Sequence, residues 1–296
     1  MNNIMDSFNK YAQTFEKYLR ASYEKRKEGA PEKLYEAMEY SLTAGGKRLR
    51  PILCLAAAER CGCKNEDAMP LALGFEMLHT ATLIHDDLPC MDNDYMRRGM
   101  LSNHAKFGET MAVLAGDALL AQSVEYPLTY SKNIPPHKLL RAIQIFTNAL
   151  GPSGVCGGQV LDMDTTQAAN DKNYVRKVAA LKTGVLIRAA VTAGAALGSD
   201  DKRTLSAYYE YGTHLGSAFQ IVDDILDVTS SAEELGKTPG KDIEQGKINH
   251  VSVFGLDGAR KIAETESDSA KKALTAILQK DDFLMLLPEY LVNRTK

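Results

Sequence analysis

The residues with the most chemistry in them are two aspartate clusters, Asp86-Asp87-Leu88-Pro89-Cys90-Met91-Asp92 and Asp223-Asp224-Ile225-Leu226-Asp227. Both lie in otherwise apolar stretches, where like charges are costly unless something positive binds them. In the second cluster Asp223 and Asp227 stand four residues apart and share one helix face, among Phe219, Ile221, Val222, Ile225, Leu226 and Val228. In the first, the step from Asp86 to Asp92 would leave the two about 120° apart on an unbroken helix. Pro89 disfavours helical geometry at Leu88 and removes a donor, so the chain is expected to leave the helix there and carry Asp92 back towards Asp86. An all-carboxylate donor set without paired Cys or His suits Mg²⁺, which keeps part of its water and shares its shell with phosphate oxygens. A phosphorylated substrate is the implied partner.

A site of this kind also needs fixed cationic donors. Gly45-Gly46-Lys47-Arg48-Leu49-Arg50-Pro51 precedes the first cluster, Arg97-Arg98-Gly99 follows it, Lys182-Thr183-Gly184 lies midway, and Lys237 and Lys247 follow the second cluster. A single Asp-Asp pair is more often a solvated helix face than a site. Two such pairs in apolar runs, accompanied by these donors, are harder to read that way. Gly45-Gly46 alone would pass for a helix C-cap, and His79 or His85 alone for a satisfied core histidine.

The elements that must position these residues are helical. Apolar side chains recur at helical spacing in Phe8, Tyr11, Phe15 and Leu19, and an Ala-rich run extends from Val185 to Leu197, whereas alternating strand-like runs are absent. No Pro, Gly or Ser-rich linker divides the 296 residues, and 45% apolar content suffices for a substantial core. An all-α chain forming one domain over residues 1–296 is expected. The net charge of −3, with scattered Lys and Arg, leaves no nucleic-acid footprint. Met1 to Lys10 lacks the apolar core of a signal peptide and no segment of 18 apolar residues exists to span a bilayer, so a cytoplasmic protein is expected. Cys54, Cys61, Cys63, Cys90 and Cys156 form neither a disulfide framework nor a zinc pair, and are expected to be reduced.

The order and spacing of the motifs resemble the trans-prenyl diphosphate synthases, specifically the short-chain bacterial group that makes farnesyl or geranylgeranyl diphosphate. The matching pieces are GGKRLRP at Gly45 to Pro51, HTATLIHDDLPCMDND at His79 to Asp94, RRG at Arg97 to Gly99, GGQVLDMD at Gly157 to Asp164, KTGVLI at Lys182 to Ile187, FQIVDDILD at Phe219 to Asp227, and Lys237 with Lys247. The resemblance implies a class I isoprenoid synthase bundle of ten or more helices around a central cavity, a homodimer, isoprenoid diphosphate substrates and three Mg²⁺ ions per active site. It implies Asp86, Asp92, Asp223 and Asp227 as metal ligands, with Asp87 and Asp224 beside them in catalysis. Arg97, Lys182 and Lys237 would contact the allylic diphosphate, with Thr183, Gln220 and Lys247 nearby and Gln220 lining the cation's site. Lys47, Arg50, His79 and Arg98 would form the pocket for isopentenyl diphosphate. Tyr95, Leu101, Asn249 and His250 depart from the family pattern.

The chemistry so implied is charge neutralisation. An allylic diphosphate ionises at carbon one when the charge developing on the leaving group is stabilised. The double bond of isopentenyl diphosphate then attacks, a proton is lost to the released diphosphate, and the chain grows by five carbons, both reactants being held in one dry cavity. The residue five before Asp86 lies about 7.5 Å deeper along the helix, where a growing tail would press. Here it is Ala81, next to Thr82, where synthases that stop at farnesyl commonly carry an aromatic floor. Geranylgeranyl diphosphate is therefore expected ahead of farnesyl diphosphate. A class I terpene cyclase would mix Asn, Ser or Thr with Glu in its second metal motif, and a non-catalytic partner subunit would typically have lost a cluster. A His-Asp phosphohydrolase would need more histidines before His85 than His79 alone.

Overall fold

The computed structural model describes residues 2–24, 29–164, 171–229 and 248–294. Along the chain run α1 (Asn2–Glu24), α2 (Glu32–Leu42), α3 (Leu49–Arg60), α4 (Asn65–Asp86), a hairpin of β1 (Met96–Arg97) and β2 (Met100–Leu101), and α5 (Asn103–Phe107). They are followed by α6 (Glu109–Tyr130), α7 (Pro136–Leu150), α8 (Val155–Asp162), α9 (Lys172–Ala179), a π-helical turn (Ala180–Gly184), α10 (Val185–Gly198), α11 (Lys202–Thr229), α12 (His250–Leu274) and α13 (Phe283–Val292). The all-α class and the expected ten or more helices are both present. The hairpin is the only sheet among the described residues, and its two-residue strands are too short for any alternating pattern.

The core is organised around α10, which packs on α3, α7 and α11. Its Ala-rich surface is buried from Val185 to Leu197 except at Arg188, because small side chains let neighbouring helices approach closely at native density. This corrects one sequence expectation. The stretch Lys172–Gly198 is long and apolar enough by composition to cross a membrane, but most of it is buried inside the bundle, as a central helix surrounded by others must be.

The chain termini are packed together. Phe15 and Leu19 of α1 are fully buried, and Phe8 and Tyr11 meet Phe283 of α13 at ring-centroid distances of 6.5 and 5.4 Å. The buried Tyr211 hydroxyl of α11 donates to the Leu284 carbonyl at 2.7 Å, fixing α13 against α11. A smaller apolar cluster joins Ile221, Val222 and Leu226 of α11 to Ala259 and Ala263 of α12. The helix that carries the second aspartate cluster is thus held from both sides.

Candidate active site

Helix α4 ends at Asp86, as Pro89 requires. Past it the backbone folds back: the Asp92 amide donates to the Asp86 carbonyl at 2.9 Å and the Asp94 amide to the Asp87 carbonyl at 3.1 Å, with Asn93 in the left-handed region at φ 49°. Asp92 is returned to Asp86 in this way. Burial pushes the Asp86 carboxyl up to about 6. Lys182 and Arg97 oppose that shift, while Asp92 and Asp87 add to it.

Asp87 is buried and held by Arg97, whose Nε donates to the two carboxylate oxygens at 3.0 and 3.2 Å and whose Nη2 adds a further bond. The β1–β2 hairpin puts Arg97 there. Its corner residues Arg98 and Gly99 both have positive φ, 53° and 75°, the geometry that matches strand twist in a two-residue hairpin.

The opposite corner belongs to the GGKRLRP loop. The Arg98 guanidinium donates to the Gly45 carbonyl. A Cβ on Gly46, which has φ 125°, would stand 2.8 Å from Arg98 Cζ. These glycines therefore do not cap α2, whose C-cap is Thr43; they admit Arg98. Arg48, 3% exposed, donates to Glu16 at 2.6 Å, to Glu76 at 2.5 Å and to the Leu42 carbonyl at 2.9 Å. Arg98 also lies 3.9 Å from Glu76. Glu76 was not singled out by sequence, and Arg48 only as part of its motif, although one signal was there: Glu76 is the lone charge in the buried apolar run 68–78.

Around that anchor the predicted anion pocket assembles. Burial drives the Arg50 guanidinium down to about 10 against the pull of Glu76 and Asp223. Its Nε is buried without a hydrogen-bond partner among the described residues. Burial, reinforced by Arg50, Arg98, Arg97 and Arg48, holds His79 well below its usual range, so it is neutral and offers an N–H rather than a charge. Lys47 is lowered by burial and by Arg294, with Asp223 opposing.

On the second wall Asp223 and Asp227 share a face of α11, as the spacing predicts. Asp224 between them is 6% exposed and fully engaged. Its Oδ2 accepts from the His250 amide at 2.9 Å and from His250 Nδ1 at 2.7 Å, and its Oδ1 from Gln220 Nε2 at 2.8 Å. His250 opens α12 behind a capping box made by Asn249 and Ser252. The two family departures at Asn249 and His250 thus start a helix and anchor an aspartate. Asp223 is bound by Arg294, just beyond α13, whose guanidinium lies 4.2 Å over the Phe219 ring. A lone arginine near the C-terminus has no spacing signal to reveal it.

Lys182 sits in the π-helical turn, a device frequent at functional sites, and its Nζ donates to Asp162 of α8 at 2.5 Å. Thr183 follows in the same turn, partly buried. Gly158 of α8 makes the approach possible, since a Cβ there would lie 2.3 Å from the Lys182 amide nitrogen. Thr82 shares the face of His79 and Asp86 and is partly exposed, its hydroxyl donating to the His79 carbonyl at 2.8 Å. Ala81 is fully buried, on the stripe of Leu78 and His85, whose Nε2 lies 3.2 Å from the Val113 carbonyl of α6. Lys237 and Lys247 lie outside the described residues.

Electrostatic reach links the pieces into one region: Lys182 and Arg97 act on Asp86, Arg97 and Arg50 on His79, and Asp223 on Arg50 and Lys47. No three metal-ligating side chains form a ready cage among the described residues. A small ion that takes one or two carboxylates and completes its shell with water and phosphate does not need one. The donor set fits Mg²⁺ on this ground: it is all oxygen, and Asp86 is a half-buried carboxylate beside Asp92 and Asp87.

Residues 31–282 match the family model described as polyprenyl synthetase. The chain is 46% identical over 268 residues to a dimethylallyltranstransferase of Fischerella ambigua, covering 90% of this chain and 78% of that protein. It is 41% identical over 272 residues to a geranylgeranyl diphosphate synthase of Cyanophora paradoxa, covering 90% and 89%. Among solved structures, an apo FPP/GFPP synthase from Zymomonas mobilis superposes with a TM-score of 0.85 at 33% identity, covering 98% of this chain and 99% of that one.

Proposed function

The chain belongs to the polyprenyl synthetase family and is a short-chain prenyl diphosphate synthase, and from that premise we propose that it extends an allylic diphosphate with isopentenyl diphosphate to geranylgeranyl diphosphate. The observation that carries this reading is the pairing of two intact aspartate clusters with a cationic pocket of Lys47, Arg50, His79 and Arg98. Arg50 Nε is a buried donor without a partner among the described residues, and a diphosphate oxygen would satisfy it.

Mg²⁺ would be held by Asp86 and Asp92 on one wall and Asp223 and Asp227 on the other, and would neutralise the departing diphosphate. Arg97 and Lys182, paired with Asp87 and Asp162 here, would exchange those carboxylates for phosphate oxygens of the allylic substrate. Asp87 and Asp224 act as positioning residues, one orienting Arg97 and the other fixing α11 to α12. Lys47, Arg50 and Arg98 would take the second diphosphate, with neutral His79 donating an N–H and Glu76 holding the arginines in place. Gln220, bound to Asp224, would border the allylic cation, and Lys237 and Lys247 keep the roles that the resemblance implies.

Small side chains at Ala81 and Thr82 favour the longer product. One domain over residues 1–296, a cytoplasmic homodimer and three Mg²⁺ ions per site complete the proposal. Exposed Val113, Leu114, Leu128 and Leu140 on α6 and α7 support a second copy as partner. The test is a mass-spectrometric product assay with Mg²⁺, isopentenyl diphosphate and, in turn, dimethylallyl, geranyl and farnesyl diphosphate. A twenty-carbon product from each starter is expected. Arrest at fifteen carbons overturns the product length, and no elongation from any starter overturns the synthase reading. Diphosphate released from the allylic substrate alone would indicate a cyclase.

A further inference from the structure

Arg294 reaches the second aspartate cluster from outside every motif. Only 5% of its side-chain surface is exposed. Its Nη2 donates to Asp223 Oδ1 and, at 3.4 Å, to the Phe219 carbonyl. Its Nε and Nη1 are buried without hydrogen-bond partners among the described residues. A purely structural arginine at this depth would have those donors satisfied, because each one left unmade is costly. The arginine is not placed there by a frayed end: Tyr211 and the aromatic contacts of Phe283 fix α13 immediately before it. Its charge is felt by Lys47 in the neighbouring anion pocket.

We propose that Arg294 is the resident counter-ion of the second cluster, bound to an Asp223 carboxylate oxygen, so that a divalent cation and Arg294 compete for Asp223. This rests on the reading of Asp223 as a metal ligand. A divalent cation at Asp223 would stand close to the guanidinium already bound to Oδ1 and would be repelled by it, so metal binding alone would weaken the Arg294 contact. A metal ion arriving with a diphosphate brings phosphate oxygens for the unsatisfied Nε and Nη1, and a guanidinium binds such oxygens well. Loading of the second wall is thereby tied to the presence of substrate.

The test uses the full-length, metal-free protein and Mn²⁺ alone, followed by electron paramagnetic resonance of the free ion. Arg294→Met should bind Mn²⁺ about tenfold more tightly than the unmodified protein, a coupling of ordinary size. Combining it with Asp223→Asn should abolish the gain. In the unmodified protein, saturating Mn²⁺ should also accelerate backbone hydrogen exchange in the segment 286–294. Equal Mn²⁺ affinity with and without Arg294, a gain that persists without Asp223, or unchanged exchange at the C-terminus would each overturn the proposal. A wrong synthase reading would show separately, as absent elongation in the product assay.

Discussion

The first aspartate cluster is a piece of loop and the second a piece of helix, yet both bury their middle carboxylate and turn it to structural use. Asp87 and Asp224 are 2% and 6% exposed, and each is bound by several donors. The partners differ in kind. Asp87 is held by Arg97, the donor proposed for the allylic diphosphate, whereas Asp224 is held by His250 and Gln220, and His250 belongs to a separate helix. The first wall can therefore rearrange when a diphosphate takes Arg97 away. The second is built in advance, and its variable part is an outside residue, Arg294. Ligands four apart on a helix need no loop to align them, so α11 can be packed rigidly; ligands six apart need the loop, and the loop needs a clamp.

The most severe way to break this parallel is to remove a proposed metal ligand from each wall. Asp86→Asn and Asp223→Asn should each lower kcat by about 10²–10³-fold in steady-state assays, the usual cost of losing charge stabilisation at a transition state. A loss of only a few-fold at either position would mean that the walls do not share the work. The anchors should separate next. His250→Ala leaves a buried carboxylate short of a charge-assisted bond and should cost about 2–3 kcal/mol in urea unfolding, with little change in the KM for the allylic diphosphate. Arg97→Ala should raise that KM and lower kcat far more than it changes the unfolding midpoint.

Ala81→Tyr should shorten the product and, because Ala81 is fully buried, also cost about 1–3 kcal/mol through overpacking. Thr82→Phe, on the partly exposed face of Asp86, should shorten the product with a smaller loss of stability. Mass spectrometry of products beside thermal melts checks both. The gentlest probe is pH. The folded-state pKa of Asp86 is raised to about 6, so the folded protein holds this proton more tightly than the unfolded chain. The stability from this group is fully present below the ordinary aspartate pKa and is lost as pH rises through about 6. Metal-free protein should accordingly lose some thermal stability between about pH 4 and pH 6, and Asp86→Asn should flatten that slope. Mn²⁺ binding should weaken below about pH 6 as protons compete for the carboxylate.

Much of the framework was legible in the residues. Phe15 and Leu19 marked α1, the Ala-rich run marked α10, and Pro89 marked the end of α4 three residues ahead of itself. What escaped was short or solitary. A hairpin with two-residue strands has no period to detect, and the Gly45-Gly46 pair looks like a cap because the same backbone freedom serves caps and close approaches alike.

Local spacing and backbone chemistry were enough to establish an all-α chain, two carboxylate clusters and the cations around them, since helix period, proline geometry and charge act within a few residues. Tertiary structure alone decided which carboxylate each cation meets. Glu76 gathers Arg48 and Arg98, His250 reaches Asp224 from a different helix, and Arg294 crosses from the C-terminus to Asp223. The cost of burying a charge is set by whatever packs against it, and in these pairs the packing partner lies 22 to 71 residues away.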